Sequence, residues 1–386
     1  MRWFGPGGVF SGTGDLKCTG FLPGGRERVP GPEGLVGATP RSLGFRMPAE
    51  WERQEGVWFS WPKDQDTFPD LIAVEQAYLQ IIRVISRYEF VHLLVSNEEV
   101  GQYLSDIFQE ERIRTEHLIM HRIEYADVWF RDYGPSFITR EKDASLAMVD
   151  WTFNAWGNKY PGLLRDDTIP SEMNKELTIP RFVPGIVLEG GSIDVNGCGT
   201  VLTTEQCLLN RNRNPGLDQS WISWYLREYL GCCHVIWLKD GIVGDDTDGH
   251  VDDIARFVNN KTVLCALAEH PGDENYSSLM ENYQILRRAA NQDGTPLTVI
   301  PLPMPGEVWD DNRLPASYAN FLITNQVVLF PSFGDPNDEI AEKVLRLAFP
   351  EREVIEIDSR ELVRGLGTIH CISQQQPESP KRELVR

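Results

Sequence analysis

Apolar residues in this chain recur with two alternating periods. From Leu71 to Arg87, positions 72, 74, 77, 78, 81, 82 and 85 carry Ile72, Val74, Ala77, Tyr78, Ile81, Ile82 and Ile85, a spacing that predicts a helix with one buried face. Shorter apolar runs flank it. Gly56–Trp61, stopped by Pro62, and Phe90–Val95 predict strands, and Asn97 reads as the cap of a short helix through Phe108. The alternation continues toward the C-terminus. Helices are predicted over Gln219–Leu230, Ser277–Asn291 and Asp338–Phe349. Strands are predicted near 147–152, 183–195, 199–204, 234–238, 261–267, 297–302, 326–331 and 353–357. Strands interleaved with helices in this way predict an α/β fold. A glycine-rich phosphate loop is missing, so a nucleotide-binding fold lacks its fingerprint.

The first forty residues break the pattern. They hold eleven of the 33 glycines, five prolines and three acids, with no sustained apolar period. Such a segment cannot bury enough apolar surface to order itself, which predicts a Gly/Pro-rich disordered extension over 1–40. A single domain is expected over 41–378 and a polar tail over 379–386, with Met47 as an internal alternative start. No apolar run approaches the ~18 residues of a membrane span, and no secretory hydrophobic region is present. A cytoplasmic location is expected, with organellar targeting by the extension left open. The formal charge of −20 argues against a nucleic-acid partner and would attract a small cation. Seven cysteines, an odd number without framework spacing, read as thiols in a reducing compartment.

The candidate chemistry gathers in four stretches. Residues 245–253 read DDTDGHVDD, with His250 amid five acids. If this run enters the next strand, His250 and Asp252 share a face, placing an acid/base group beside a cation-binding one. Taken alone, the run reads equally as a solvated acidic turn. It is no calcium loop, because Gly249 falls at the wrong offset, and no short His/Cys spacing suggests zinc, so no metal is implied. Cys371 follows a glycine pair in Gly365-Leu366-Gly367 and ends a loop, whereas Cys265 lies in an apolar strand and reads as core. His370 cannot readily face the same side as Cys371 on an extended segment, which makes His250 the better partner. At an ordinary thiol pKa only about 3% of a cysteine is thiolate at neutral pH, so a nucleophile here needs a base or a cationic substrate. The stretch 127–135 reads as the end of a strand, with Asp132 at a turn and Trp129 three residues earlier, and Glu189 ends an apolar run before Gly190-Gly191. Carboxylates, an indole, a histidine and a cysteine together describe a site for a planar cation.

On these residues the sequence resembles the agmatine deiminases of the peptidyl-arginine deiminase superfamily. The matching stretches are MPAEWE (47–52), WFRDYGP (129–135), DWTFNAWGNKY (150–160), EGGSIDVNGCGT (189–200), LLNRNRNP (208–215), DTDGHVDDIARF (246–257), RLPASYANF (313–321) and IHCISQQQP (369–377). The resemblance implies a pentein fold, a five-bladed β/α propeller with pseudo-fivefold symmetry and a central active site, in one catalytic deiminase domain. It implies Cys371 as nucleophile, His250 as acid/base oriented by Glu189, and Asp132 and Asp252 as guanidinium ligands, with Trp129 in the substrate site. The implied reaction is hydrolysis of agmatine to N-carbamoylputrescine and ammonia, a step toward putrescine, through an amidino-cysteine and without a cofactor. The implied partner is a small cationic guanidine, with no nucleic acid and no membrane, and room for a homo-oligomer. Related chemistry on arginine, peptidyl-arginine or dimethylarginine, amidino transfer, and silent guanidine binding are the alternatives. Leu366 and Thr368 stand where such a loop usually reads Gly and Asn, and Gln54 where many relatives carry histidine. Arg131 is the only cation in the quoted site stretches judged near the substrate, and on an extended segment it should face away from Asp132's side. That leaves a substrate carboxylate without a partner and favours agmatine over arginine.

Overall fold

The computed structural model describes residues 38–379. The predicted extension up to residue 37 and the tail from 380 lie outside the described residues. The strands, in chain order, are β1 (Gln54–Ser60), β2 (Phe90–Val95), β3 (Leu118–Arg122), β4 (Ser136–Arg140), β5 (Ser145–Val149), β6 (Arg181–Phe182), β7 (Asp194–Val195) and β8 (Thr200–Thr204). They continue as β9 (His234–Leu238), β10 (Ala255–Asn259), β11 (Thr262–Leu267), β12 (Thr298–Pro303), β13 (Leu322–Ile323), β14 (Val327–Ser332), β15 (Glu353–Asp358) and β16 (Ser373–Pro377). They form five separate sheets, ordered β16-β1-β2-β3, β4-β5-β6, β7-β8-β9, β10-β11-β12 and β13-β14-β15.

Every sheet repeats one plan. An antiparallel pair is followed by a parallel neighbour. A parallel step needs a crossover connection, and each crossover carries a helix. Helix Leu71–Ile85 precedes β2, Ile169–Leu177 precedes β6, Gln219–Leu230 precedes β9, Tyr276–Arg288 precedes β12 and Asp338–Ala348 precedes β15. The recurrence is one of topology and not of residue identity, which is why no strict repeat is legible in the sequence.

Local rules account for most element ends. Asp70 accepts from the Ala73 amide at 3.1 Å, and Asn97 from the Val100 amide at 2.9 Å, each satisfying an orphan donor of a helix start. Two expectations are corrected. Ile72, assigned to the buried face of its helix, is 73% exposed, because it sits about 200° around the helix from Val74. The expected strand over 183–195 does not form as one ladder. Pro184 cannot donate to a ladder, and the stretch instead makes one bridge, Thr152 to Val187, then a 3-10 turn at Gly190–Ser192 and the short β7. The run is apolar because it is buried.

The two ends of the folded chain meet. β16 pairs antiparallel with β1, setting Val57 opposite Gln375 and Trp58 opposite Gln374. This fixes Cys371 two residues before β16 and its ladder with β1. No helix among the described residues is long and apolar enough to cross a membrane.

Candidate active site

A cavity of about 510 Å³ opens beside Cys371, and Asp132, Trp129 and Trp156 share its wall. Asp132 sits in a single helical turn, Phe130–Tyr133, and not at the end of a strand as the sequence suggested. That turn is tied to the Cys371 loop by the Arg131 amide, which donates to the Cys371 carbonyl at 3.1 Å. Successive helical residues point about 100° apart. Asp132 therefore faces the cavity while Arg131 turns behind it. There its guanidinium donates to Gln375 Oε1 at 2.7 Å and the His370 carbonyl at 3.3 Å. The expectation that Arg131 faces away is met, although the extended backbone assumed for it is not.

His250 and Asp252 also share a neighbourhood for a different reason than period-two alternation. Val251–Asp253 is a 3-10 turn, and the strand begins only at Ala255. The acidic run is no solvated turn. Asp245 accepts from the amides of Thr247, Gly249 and His250, folding the loop around its own carboxylate. His250 Nδ1 lies 3.7 Å from Asp132 Oδ1, and Asp252 Oδ2 lies 3.9 Å from Cys371 Sγ. Gly191 makes the His250–Asp132 approach feasible, since a Cβ there would meet His250 Nδ1 at 2.5 Å and Asp132 Oδ1 at 2.9 Å. Its amide donates to Asp132 Oδ1 at 3.1 Å.

Glu189 stands near His250, but its settled partner is a residue the sequence reading passed over. Arg213 Nε donates to Glu189 Oε1 at 2.7 Å, with both side chains fully buried. Glu189 Oε2 and His250 Nε2 are buried without a hydrogen-bond partner among the described residues, and so is Asp252 Oδ1. His370, set aside as a partner for Cys371, does turn elsewhere. Its ring nitrogens lie 2.7 Å from Asp252 Oδ2 and 2.8 Å from Glu50 Oε2. Trp156 is another omission: its Nε1 donates to Asp132 Oδ2 at 2.9 Å, while Trp129 Nε1 donates to Asp127 at 3.0 Å. The spacing of Trp156 from Trp129 carries no signal that the two indoles meet across one cavity.

Electrostatics follow from burial and the excess of acids. Burial, with Asp252, Asp253 and Asp132 close by, pushes the Cys371 thiol well above its ordinary pKa. Burial, together with Asp252 and Glu189 and against the pull of His250, raises Asp132 to about 6. Burial disfavours charge on His250, yet Asp132, Cys207 and Asp252 outweigh it and raise its pKa well above the usual value. For Asp252 burial works upward, but the His370 hydrogen bond and neighbouring cations hold it below its ordinary value. Two trios bring potential metal ligands within 4.8 Å, Glu189–Cys207–His250 and Asp252–Asp253–Cys371. In the first, Arg213 already supplies the positive charge to Glu189.

The cavity walls correct one further expectation. Arg131 is not the relevant cation: Lys159 and Arg364 line the cavity. Each is neutralised, Lys159 by Asp248 at 2.9 Å and Arg364 by Asp310 at 2.9 Å and Glu361 at 3.0 Å. Asp64, Asp66, Asp127 and Asp246 line the same cavity. Leu366, also in the wall, holds a left-handed backbone with φ of 72°, where a side chain is uncommon. Gly367 lets Trp129 pack on the Cys371 loop, since a Cβ there would lie 2.5 Å from the indole and 3.0 Å from Cys371 Cβ.

Known proteins resemble this chain along nearly its whole folded length. The agmatine deiminase of Stutzerimonas stutzeri (strain A1501) is 40% identical over 367 residues, covering 88% of this chain and 97% of that one. The solved agmatine deiminase of Enterococcus faecalis superposes with a TM-score of 0.82 at 34% identity, covering 89% of this chain and 99% of its own. A C. jejuni agmatine deiminase carrying a Cys-to-Ser substitution, solved with substrate bound, gives a TM-score of 0.78 at 33% identity over 87% of this chain and 97% of its own. The α/β fold is that of these deiminases. Residues 46–377, from the strand-flanking segment before β1 to the end of β16, match the family model, so the chain belongs to the Porphyromonas-type peptidyl-arginine deiminases.

Proposed function

We propose that this protein hydrolyses agmatine to N-carbamoylputrescine and ammonia, with Cys371 as the nucleophile. The observation that carries the reading is the setting of Cys371: a thiol on a cavity wall amid Asp132, Asp252 and Asp253, with two indoles alongside. Such a site repels a thiolate until a cation enters. A bound guanidinium offsets the carboxylates, accepts paired hydrogen bonds from none and donates them to several, and so lowers the thiol pKa where it will react. Substrate binding thereby arms the nucleophile.

The steps balance without a cofactor. The sulfur of Cys371, its proton released to solvent as the cation binds, attacks the guanidinium carbon, and the C=N electron pair moves to nitrogen. His250, charged beside Asp132, gives a proton to the departing nitrogen; the C–N bond breaks, ammonia leaves, and an amidino-cysteine remains. Neutral His250 then takes a proton from water as its oxygen bonds to the same carbon. The C–S bond breaks and the hydroxyl proton passes to solvent, returning the thiolate and the His250 imidazolium and releasing the ureido product. Asp132 and Asp252 hold the guanidinium, Glu189 orients His250 from behind, and Trp129 and Trp156 present ring faces to the cation.

The five equivalent sheets support a five-bladed pentein propeller with the site at its centre, formed by 41–378 as one catalytic domain. Residues 39 and 40, assigned to the extension, are packed on the domain: the Thr39 hydroxyl donates to Glu228 Oε2 at 2.9 Å and Pro40 is buried.

Specificity follows from the walls. The tail of agmatine ends in an ammonium, which suits Asp64, Asp66, Asp127 and Asp246; the carboxylate of arginine would meet acids and two cations already paired. Arg364 is the observation that favours arginine as a second reading, since release from Asp310 and Glu361 would free its guanidinium. Product analysis over agmatine, arginine, dimethylarginine and a peptidyl-arginine separates the two. The expected kcat/KM for agmatine exceeds that for arginine by at least about 100-fold. Comparable values would overturn the agmatine assignment and leave only guanidine deimination.

A further inference from the structure

Asn320 lies against the sulfur of Cys371, its Nδ2 at 3.1 Å. It is 1% exposed and lies just before β13, in the stretch Arg313–Phe321. Its carboxamide is fully committed. Oδ1 accepts from the Thr368 hydroxyl at 2.7 Å, the His370 amide at 3.0 Å and the Cys371 amide at 3.4 Å. Backbone amides can only donate, so the end of the carboxamide facing them must be the oxygen. That fixes the other end as NH2. It reaches Cys371 Sγ at 3.1 Å and Asp253 Oδ1 at 3.0 Å.

The backbone around it is pinned as well. Ser317 Oγ donates to the Asp253 carbonyl at 2.7 Å and accepts from the Ala319 amide at 3.2 Å, and the His370 amide also lies 3.3 Å from the Asn320 carbonyl. An N–H held in this way at a sulfur cannot reorient to suit the thiol, and it costs no reorganisation when charge develops there. Asp252 Oδ2, 3.9 Å from the same sulfur, repels a thiolate.

Taking Cys371 as the nucleophile, as in the reading above, we propose that Asn320 is a catalytic residue. Its amide N–H donates to the sulfur of Cys371 and stabilises the thiolate before attack and again when the C–S bond breaks. The substrate cation compensates the charge from one side and the Asn320 donor from the other. No electrons or protons move through Asn320, so the covalent steps balance as before.

The test follows alkylation of Cys371 by iodoacetamide in the full-length protein across pH, read from the mass of the peptide that carries Cys371. In Asn320→Ala the midpoint for alkylation should rise by about one pH unit, and kcat for agmatine should fall about 10- to 100-fold with KM changed less than about threefold. A residue that merely supports the loop would not move the midpoint. If the alanine variant does not fold, Asn320→Ser is expected to show the same shift. A midpoint equal to wild type overturns the role of Asn320. Cys371→Ala is measured alongside: retained deimination there would overturn the nucleophile assignment itself, whereas its loss lets the Asn320 result stand alone.

Discussion

The two sides of Cys371 handle buried charge in opposite ways. Behind it, Arg256 is wholly buried and fully engaged: it donates to Asp194 at 2.6 Å, to Glu50 at 2.6 Å and to the Phe321 carbonyl at 2.7 Å, over the Phe321 ring at 4.7 Å. Glu50 is engaged too, accepting from the Ile323 amide at 2.6 Å and bonded to His370. Burial alone would raise its pKa, but Arg256 and His370 hold it far below the carboxylate range. In front, Asp132 and Asp253 are pushed upward by burial and by one another's neighbours, and Asp252 Oδ1 and His250 Nε2 lack hydrogen-bond partners among the described residues. Buried charges are costly unless paired. Arg256 and Glu50 satisfy that rule within the chain. The front leaves it to be satisfied by a ligand, and this is where chemistry is expected.

The contrast predicts two different kinds of damage. On the front, Cys371→Ser should abolish turnover with agmatine, because a hydroxyl of far higher pKa cannot replace the thiolate, while the urea midpoint stays at the wild-type value. Mass spectrometry of wild-type protein quenched during turnover should find the amidino group on the Cys371 peptide; finding it on Cys207 or Cys265 would move the reaction elsewhere. On the rear, Glu50→Ala strands Arg256 and His370, and should cost about 3–5 kcal/mol of stability in a urea titration. Equal stability losses in the two variants would erase the distinction between a reactive face and a supporting one.

The sequence shows the parts of this site more clearly than their mutual geometry. Cys371, His250, Asp132 and Asp252 announce themselves because each sits in a local pattern of glycines, acids or an indole. Helix spans such as Gln219–Leu230 are legible for a similar reason: burial on one face imposes a period. What stays hidden depends on residues distant in the chain. Arg213 binds Glu189 from 24 positions away, and Asn320 reaches Cys371 across 51. Neither spacing carries a period or a motif. Apolar runs also mislead where burial is achieved without a ladder, as over 183–195, and the 3-10 turn at Val251–Asp253 brings His250 and Asp252 together by a route that strand alternation does not describe.

The smallest effect sharpens the front face alone. In the proposed mechanism Asp132 holds substrate only as a carboxylate, and burial raises its pKa to about 6 in the free protein. As pH falls below that value the ionised fraction drops tenfold per unit. The thiol of Cys371 titrates well above, so at pH 7 its ionisation already makes log kcat/KM rise with a slope of one. Below about pH 6 the Asp132 limb adds to it, and the slope should steepen toward two. A bound guanidinium favours the ionised carboxylate and pulls this titration lower, so the second limb belongs to kcat/KM and should be missing from kcat over the same range. Asp132→Asn removes the limb: its profile should keep a slope of one down to pH 5, at lower activity throughout. A wild-type slope that stays at one across pH 6 would mean that the cation is held without the charge of Asp132.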